Sequence, residues 1–159
     1  PILKSSLASR AILRRCAARL AGRWSPFTAQ GCRSSPACAI TSGGCTPGEL
    51  KCVVATATPA RLAVIALNRA HLVADLDYIY TVDILGREKS DPAFFDTLCG
   101  QIGVEKQACT MFEDSLYAML GARRAGLSVV GITDSTNLRD RARIRETCDV
   151  LIDSFDELD

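Results

Sequence analysis

The sequence predicts an α/β protein in which a parallel sheet is covered by helices. Two observations carry this. From Lys51 onward, short β-branched runs alternate with stretches of helical period, the pattern of repeated strand, helix, strand units. Cap and stop residues punctuate the alternation: Thr58 before Pro59, Asp91 before Pro92, then Gly103 and Gly126, each of a type that starts or ends a helix for a known backbone reason.

Taken in order, residues 52–58 (CVVATAT) read as a fully buried strand. Thr58 caps the helix that follows, and this helix runs to about His71. Residues 77–82 (DYIYTV) form a second strand, and a loop then leads through Gly86 to Lys89. Ser90 or Asp91 caps the next helix, in which Phe94, Phe95, Leu98, Cys99 and Ile102 make one apolar stripe at helical spacing. A third strand spans residues 109–112 and ends in the acidic pair Glu113 and Asp114. Ser115 caps a helix with Leu116, Met119 and Leu120 turned inward, and residues 127–132 (LSVVGI) make a fourth strand. A polar helix over residues 139–146, a short strand over 150–152 and a helical turn over 154–158 complete the pattern.

The charge is unevenly placed. No acidic residue precedes Glu49, while Lys4, Arg10, Arg14, Arg15, Arg19, Arg23 and Arg33 give that segment +7; the remainder sums to −6, against a net charge of +1. The chain therefore divides into residues 1–48, basic and rich in Ser, Ala and Cys, and a domain over residues 49–159. The first segment has three readings: a mis-framed or truncated upstream stretch, an organelle transit peptide, or a basic arm for nucleic acid. The arm has only Trp24 and Phe27 to stack on bases, so nucleic acid is the least favoured partner. Residues 11–21 could form a short basic helix. The acidic balance of the second segment suits a cytoplasmic enzyme, or an organellar one if residues 1–48 are a transit peptide. Charged residues interrupt every apolar stretch before the roughly 18 residues that a membrane-spanning helix needs. Eight cysteines contain no CxxC pair, so the bland reading is reduced, mostly buried thiols in place of zinc or a disulfide framework. His71 is the sole histidine, which leaves little material for a Ser/His/Asp mechanism.

In open α/β sheets ligands lie beyond the carboxyl ends of the strands. The residues expected there are Thr56 to Thr58, Lys89, Glu113, Asp114, Thr133 and Asp134. Hydroxyls, an ammonium and carboxylates on one rim match the needs of a phosphate ester bound through a hard divalent cation. Two adjacent carboxylates ending an apolar strand call for a cation or a helix N-terminus to offset their repulsion. Read singly, Thr56 is a capping or packing residue, Lys89 a solvated loop lysine, and Asp114 a helix cap. Arg123 and Arg124 read as a solvated face.

The ordered set VATATPARL, GREKSDPAFF and MFEDSLYAMLGARRAGLSVVGITD closely resembles motifs two, three and four of the haloacid dehalogenase superfamily, over roughly residues 51–158. The nearest branch is that of sugar-phosphate phosphatases and phosphomutases. The resemblance implies a Rossmann-like three-layer sandwich and a Mg2+-dependent hydrolase of small phosphate esters. It makes Thr56, with Ala57, the phosphate-binding motif-two position and Lys89 the motif-three lysine. Asp114 and Glu113 become the metal-site residues, Asp114 as the magnesium ligand and Glu113 as the neighbouring carboxylate that supports it, and Ser115 is a supporting residue.

The family attacks phosphorus with the first aspartate of a DxDxT-like motif on an N-terminal strand. Here the first aspartate is Asp75, so the nucleophile, the acid/base residue, one metal ligand and most of the cap are missing. The expectations are thus a partial sandwich without its N-terminal strand, unpaired strand edges, and no turnover by the chain as it stands. A phosphomutase of the same family and a non-catalytic phosphate-binding module are the alternatives. Substrate identity and oligomeric state are not legible.

Overall fold

The computed structural model describes residues 38–43, 50–133, 137–153 and 157. A six-stranded sheet organises them. Its strands are β1 (Cys38–Gly43), β2 (Leu50–Thr56), β3 (Tyr78–Thr81), β4 (Cys109–Glu113), β5 (Ser128–Ile132) and β6 (Val150–Ile152), in the order β3-β2-β1-β4-β5-β6. β2 runs parallel to β3, and β4, β5 and β6 are mutually parallel. β1 is antiparallel to both its neighbours, so β2 to β6 all point one way and share a carboxyl edge.

The expectation of an empty central slot is corrected by β1. This strand lies inside the segment read as having nothing to offer the sheet, and it pairs with β2 from Cys38 opposite Ala55 to Gly43 opposite Leu50, and with β4 from Ala39 opposite Phe112 to Ser42 opposite Cys109. All six residues of CAITSG pair with β2 and four of them, Ala39 to Ser42, also pair with β4, which joins the two halves of the sheet. The helix considered over residues 11–21, Asp134 and most of the final turn over 154–158 lie outside the described residues.

Side-chain alternation along the strands builds two cores. Val53 and Ala55 of β2, Met111 of β4 and Val129 of β5 face one side. Helices α3 (Pro92–Ile102), α4 (Leu116–Ala125) and α5 (Arg141–Thr147) cover them with Phe94, Phe95, Leu98, Ile102, Met119, Ala122 and Ile144. Val54, Phe112, Val130 and Ile152 face the other side, against Leu72 and the Leu67 side chain of α1 (Ala60–Arg69). Period-two burial on strands between two helical layers is the three-layer sandwich that the sequence implied.

Most element ends agree with the sequence within a residue or two, and the departures have local causes. Asp91, one of two candidate caps, accepts a hydrogen bond from Ala93 N at 2.9 Å, and Pro92 occupies the first turn of α3. Pro59, not Thr58, precedes α1, and Thr58 N instead donates to Thr56 Oγ1 at 3.0 Å. The stretch after β3 is a short helix, α2 (Val82–Leu85), where a loop was expected; the Thr81 hydroxyl accepts from Ile84 N and bonds the Asp83 carboxylate. Arg123 is no mere solvated face residue: its guanidinium bonds both oxygens of Asp149 at 2.9 Å, and Asp149 also accepts from Val129 N. Cys52, Cys99 and Cys109 are buried thiols outside any disulfide and Cys148 is half-buried. Among the described residues no helix is long and apolar enough to cross a membrane.

Candidate functional site at the carboxyl edge of the sheet

Glu113 is the last residue of β4, and the chain turns immediately afterwards through Asp114 and Ser115 into α4. Lys89 arrives from the opposite direction, on the loop between α2 and α3. Its Nζ donates to Glu113 Oε2 at 2.7 Å, and the side chains are only 4% and 3% exposed. Two residues 24 apart in the sequence thus form a buried ion pair at the sheet's carboxyl edge. The second oxygen of Glu113 is also engaged: Oε1 accepts from Asp114 N at 3.2 Å and Ser115 N at 3.0 Å.

These partners decide the protonation state of Glu113. Burial on its own would raise the carboxyl pKa, but the Lys89 charge, the hydrogen bonds from Asp114 and Lys89 and the Ser115 amide together hold it below the ordinary value of 4.5. The repulsion expected between Glu113 and Asp114 is therefore offset inside the protein by a lysine and by backbone N–H groups at the start of α4. With both its oxygens so committed, Glu113 is suited to fixing the ammonium and the turn. That differs from the metal-binding place expected for it.

Asp114 is half-buried. Its Oδ1 accepts from Ser115 Oγ at 3.2 Å, and Ser115 makes no side-chain cap on α4. The backbone carbonyl of Asp114 accepts from Asn137 Nδ2 at 3.0 Å, and the same amide donates to Ile132 O at 3.1 Å. Asn137 thereby ties the end of β5 to the Asp114 turn. Sequence reasoning passed over it; the available signal was an amide side chain in the loop leaving a strand that ends beside the acidic pair.

Thr56 ends β2, buried, with its hydroxyl accepting from Thr58 N, and Ala57 follows it exposed. The registers put Val54 and Phe112 level, on either side of Ala39. Thr56 and Glu113 therefore stand two strand spacings, about 10 Å, apart at the same edge. Lys89 and Glu113 are brought into contact, Asp114 adjoins them in the chain, and Thr56 and Ala57 share their rim without a contact to them. Thr133, also at this edge, bonds Ile152 O and the Asp153 side chain through its hydroxyl. An open cavity of about 410 Å³ adjoins Asp114 and Ser115, bounded by Tyr117, Asn137, Asp140 and Arg143.

Among the described residues no group of three or more His, Cys, Asp or Glu side chains could hold a metal. Mg2+, however, typically keeps several waters and binds through one or two carboxylates plus substrate phosphate oxygens. A half-buried Asp114 carboxylate at an open rim fits that smaller demand.

The profile of the haloacid dehalogenase-like hydrolases matches residues 47–126, just over half of the chain. Validoxylamine A 7'-phosphate phosphatase of Streptomyces hygroscopicus subsp. limoneus is 33% identical over 105 residues, which is 66% of this chain and 47% of that enzyme. Among solved structures, a putative β-phosphoglucomutase from Thermotoga maritima superposes with a TM-score of 0.60 at 27% identity, covering 68% of this chain and 50% of the other. A conserved haloacid dehalogenase-like protein of unknown function from Agrobacterium tumefaciens gives the same TM-score at 20% identity, covering 69% of this chain and 59% of the other. The chain spans about half the length of these relatives. The profile match over just over half of the chain places this chain in the haloacid dehalogenase-like hydrolase family.

Proposed function

We propose that the rim built from Thr56, Ala57, Lys89, Glu113 and Asp114 is the phosphate and Mg2+ half of a phosphatase site for small phosphate esters, sugar phosphates foremost. The observation that carries this reading is the buried Lys89–Glu113 ion pair set directly before Asp114. Burying such a pair in a surface rim is costly, and its return here is a fixed ammonium beside a half-buried carboxylate. Held by Glu113 at this rim, the Lys89 ammonium is the cation that would offset the charge of a bound phosphate. Asp114 is the residue for Mg2+, whose chemical contribution when bound is to neutralise phosphate charge. Thr56 and the Ala57 backbone serve phosphate oxygens from the β2 side, and Ser115 orients Asp114. The resemblance to a validoxylamine A 7'-phosphate phosphatase and to a putative β-phosphoglucomutase supports the substrate class.

Turnover is a separate matter. An attacking carboxylate would have to stand between β2 and β4, and the strand there reads CAITSG, with no Asp or Glu; the first Asp of the sequence is Asp75. This supports the expectation that the 159 residues as they stand bind phosphate without turning it over, although they belong to a hydrolase family. Incubating the pure protein with Mg2+ and a panel of sugar phosphates, and following released phosphate by malachite green, should give no signal above buffer. Protein-dependent, Mg2+-dependent release would contradict this.

A further inference from the structure

Gly121 sits in the middle of α4, where glycine costs about 1 kcal/mol relative to alanine, and it is buried. A glycine in such a place needs a tertiary reason, and the structure supplies one. A Cβ built at position 121 would lie 2.0 Å from the Lys89 carbonyl oxygen, 3.0 Å from the Ser90 carbonyl carbon and 3.1 Å from that of Lys89. All three are backbone atoms, so no side chain can swing aside. Gly100 in α3, by contrast, has nothing within 4 Å of such an atom, and so has no close neighbour that would exclude a side chain.

We propose that Gly121 is the positioning residue for Lys89: the bare helix surface at 121 lets the loop backbone seat against α4, which aims the ammonium at Glu113. The same helix thus controls both partners. Its first turn supplies the Ser115 amide that fixes Glu113 Oε1, and its middle sets the origin of the lysine side chain. An alanine methyl would drive the loop outward by about 1 Å or more to reach the 3.0 Å that real contacts respect. Displacement on that scale opens the dry surroundings of Lys89 and loosens its 2.7 Å bond. The role as a phosphate ligand assigned to Lys89 above is what makes this placement functional.

The test is site-resolved labelling, which does not depend on phosphate being the ligand. Lysines of native protein are acetylated with a soluble active ester, thiols are alkylated with iodoacetamide, and each site is timed by mass spectrometry. In Gly121→Ala, Lys89 should react about tenfold faster or more, through local release of its loop. Cys52, Cys99 and Cys109, buried in the core, should remain as protected as before. Lys89 staying protected in folded Gly121→Ala would overturn the proposal, and so would thiols opening together with the lysine, because that pattern marks a glycine that merely holds the core. If Gly121→Ala shows no cooperative melt, Ser90→Gly is added to let the opposing backbone retreat. The double variant should then melt cooperatively, and its failure to do so would also overturn the proposal. Loss of phosphate binding by the unaltered protein would count against the proposed function alone.

Discussion

Lys89 and Glu113 are each buried, and each would be costly there without the other. Replacing Lys89 by Met leaves a carboxylate among apolar neighbours with only backbone donors, a change typically worth about 3 to 5 kcal/mol. We expect the urea midpoint of Lys89→Met to fall accordingly, with an unchanged slope. The pH dependence follows from the same pair. The Glu113 carboxyl is held below its ordinary 4.5 in the folded protein, so the unfolded chain takes up the proton more readily. The pair's contribution is therefore complete above about pH 4.5 and disappears as the pH falls through the lower, folded value. Melting temperature should be flat from neutral pH down to about 5 on this account and decline below it. In Glu113→Gln that acid limb should be shallower; an identical limb in both proteins would show that other carboxylates set it.

Elements were legible where the local chemistry was decisive. Asp91-Pro92 and Gly103 bracket α3 because an aspartate side chain, a fixed proline φ and a left-handed glycine each satisfy one end of a helix, and the structure uses all three. Asp91→Ala should cost about 1 kcal/mol, as loss of an N-cap usually does, readable as a lowered thermal midpoint, while Asp91→Asn should be close to neutral. The apolar stripe Phe94, Phe95, Leu98, Cys99 and Ile102 was readable from spacing alone and is fully buried. α2 was not readable: its four residues are too few to show a period, and Thr81 starts it by folding its hydroxyl back onto Ile84 N. The residues of the candidate rim could be named from motif order, but not their partners. That Glu113 spends both oxygens on Lys89 and the α4 turn is a consequence of the turn's geometry, and spacing does not encode it.

For the molecule as a whole, the sheet's direction and order put Thr56, Glu113, Asp114 and Thr133 at one edge, and the strand that completes the sheet is the one the sequence concealed. CAITSG carries little alternation and lies in a basic, Gly- and Pro-rich stretch, so no periodicity marked it; long-range pairing with β2 and β4 decides its conformation. Because β1 hydrogen-bonds both halves of the sheet, a proline within it should be far more damaging than one at an edge. We expect Thr41→Pro, opposite Cys52 and Thr110, to abolish a cooperative melt, monitored by circular dichroism at 222 nm; retention of the parent transition would show that β1 is dispensable.

On the proposed reading, a lysine anchored by Glu113, together with the neighbouring Asp114, binds phosphate through Mg2+. Calorimetric titration of inorganic phosphate into the pure protein tests it most directly, with and without Mg2+, beside Lys89→Met and Asp114→Asn. The expected result is binding that needs Mg2+ and is lost in both variants while their far-ultraviolet spectra stay native. Phosphate binding of equal strength in the parent and in Lys89→Met would contradict it.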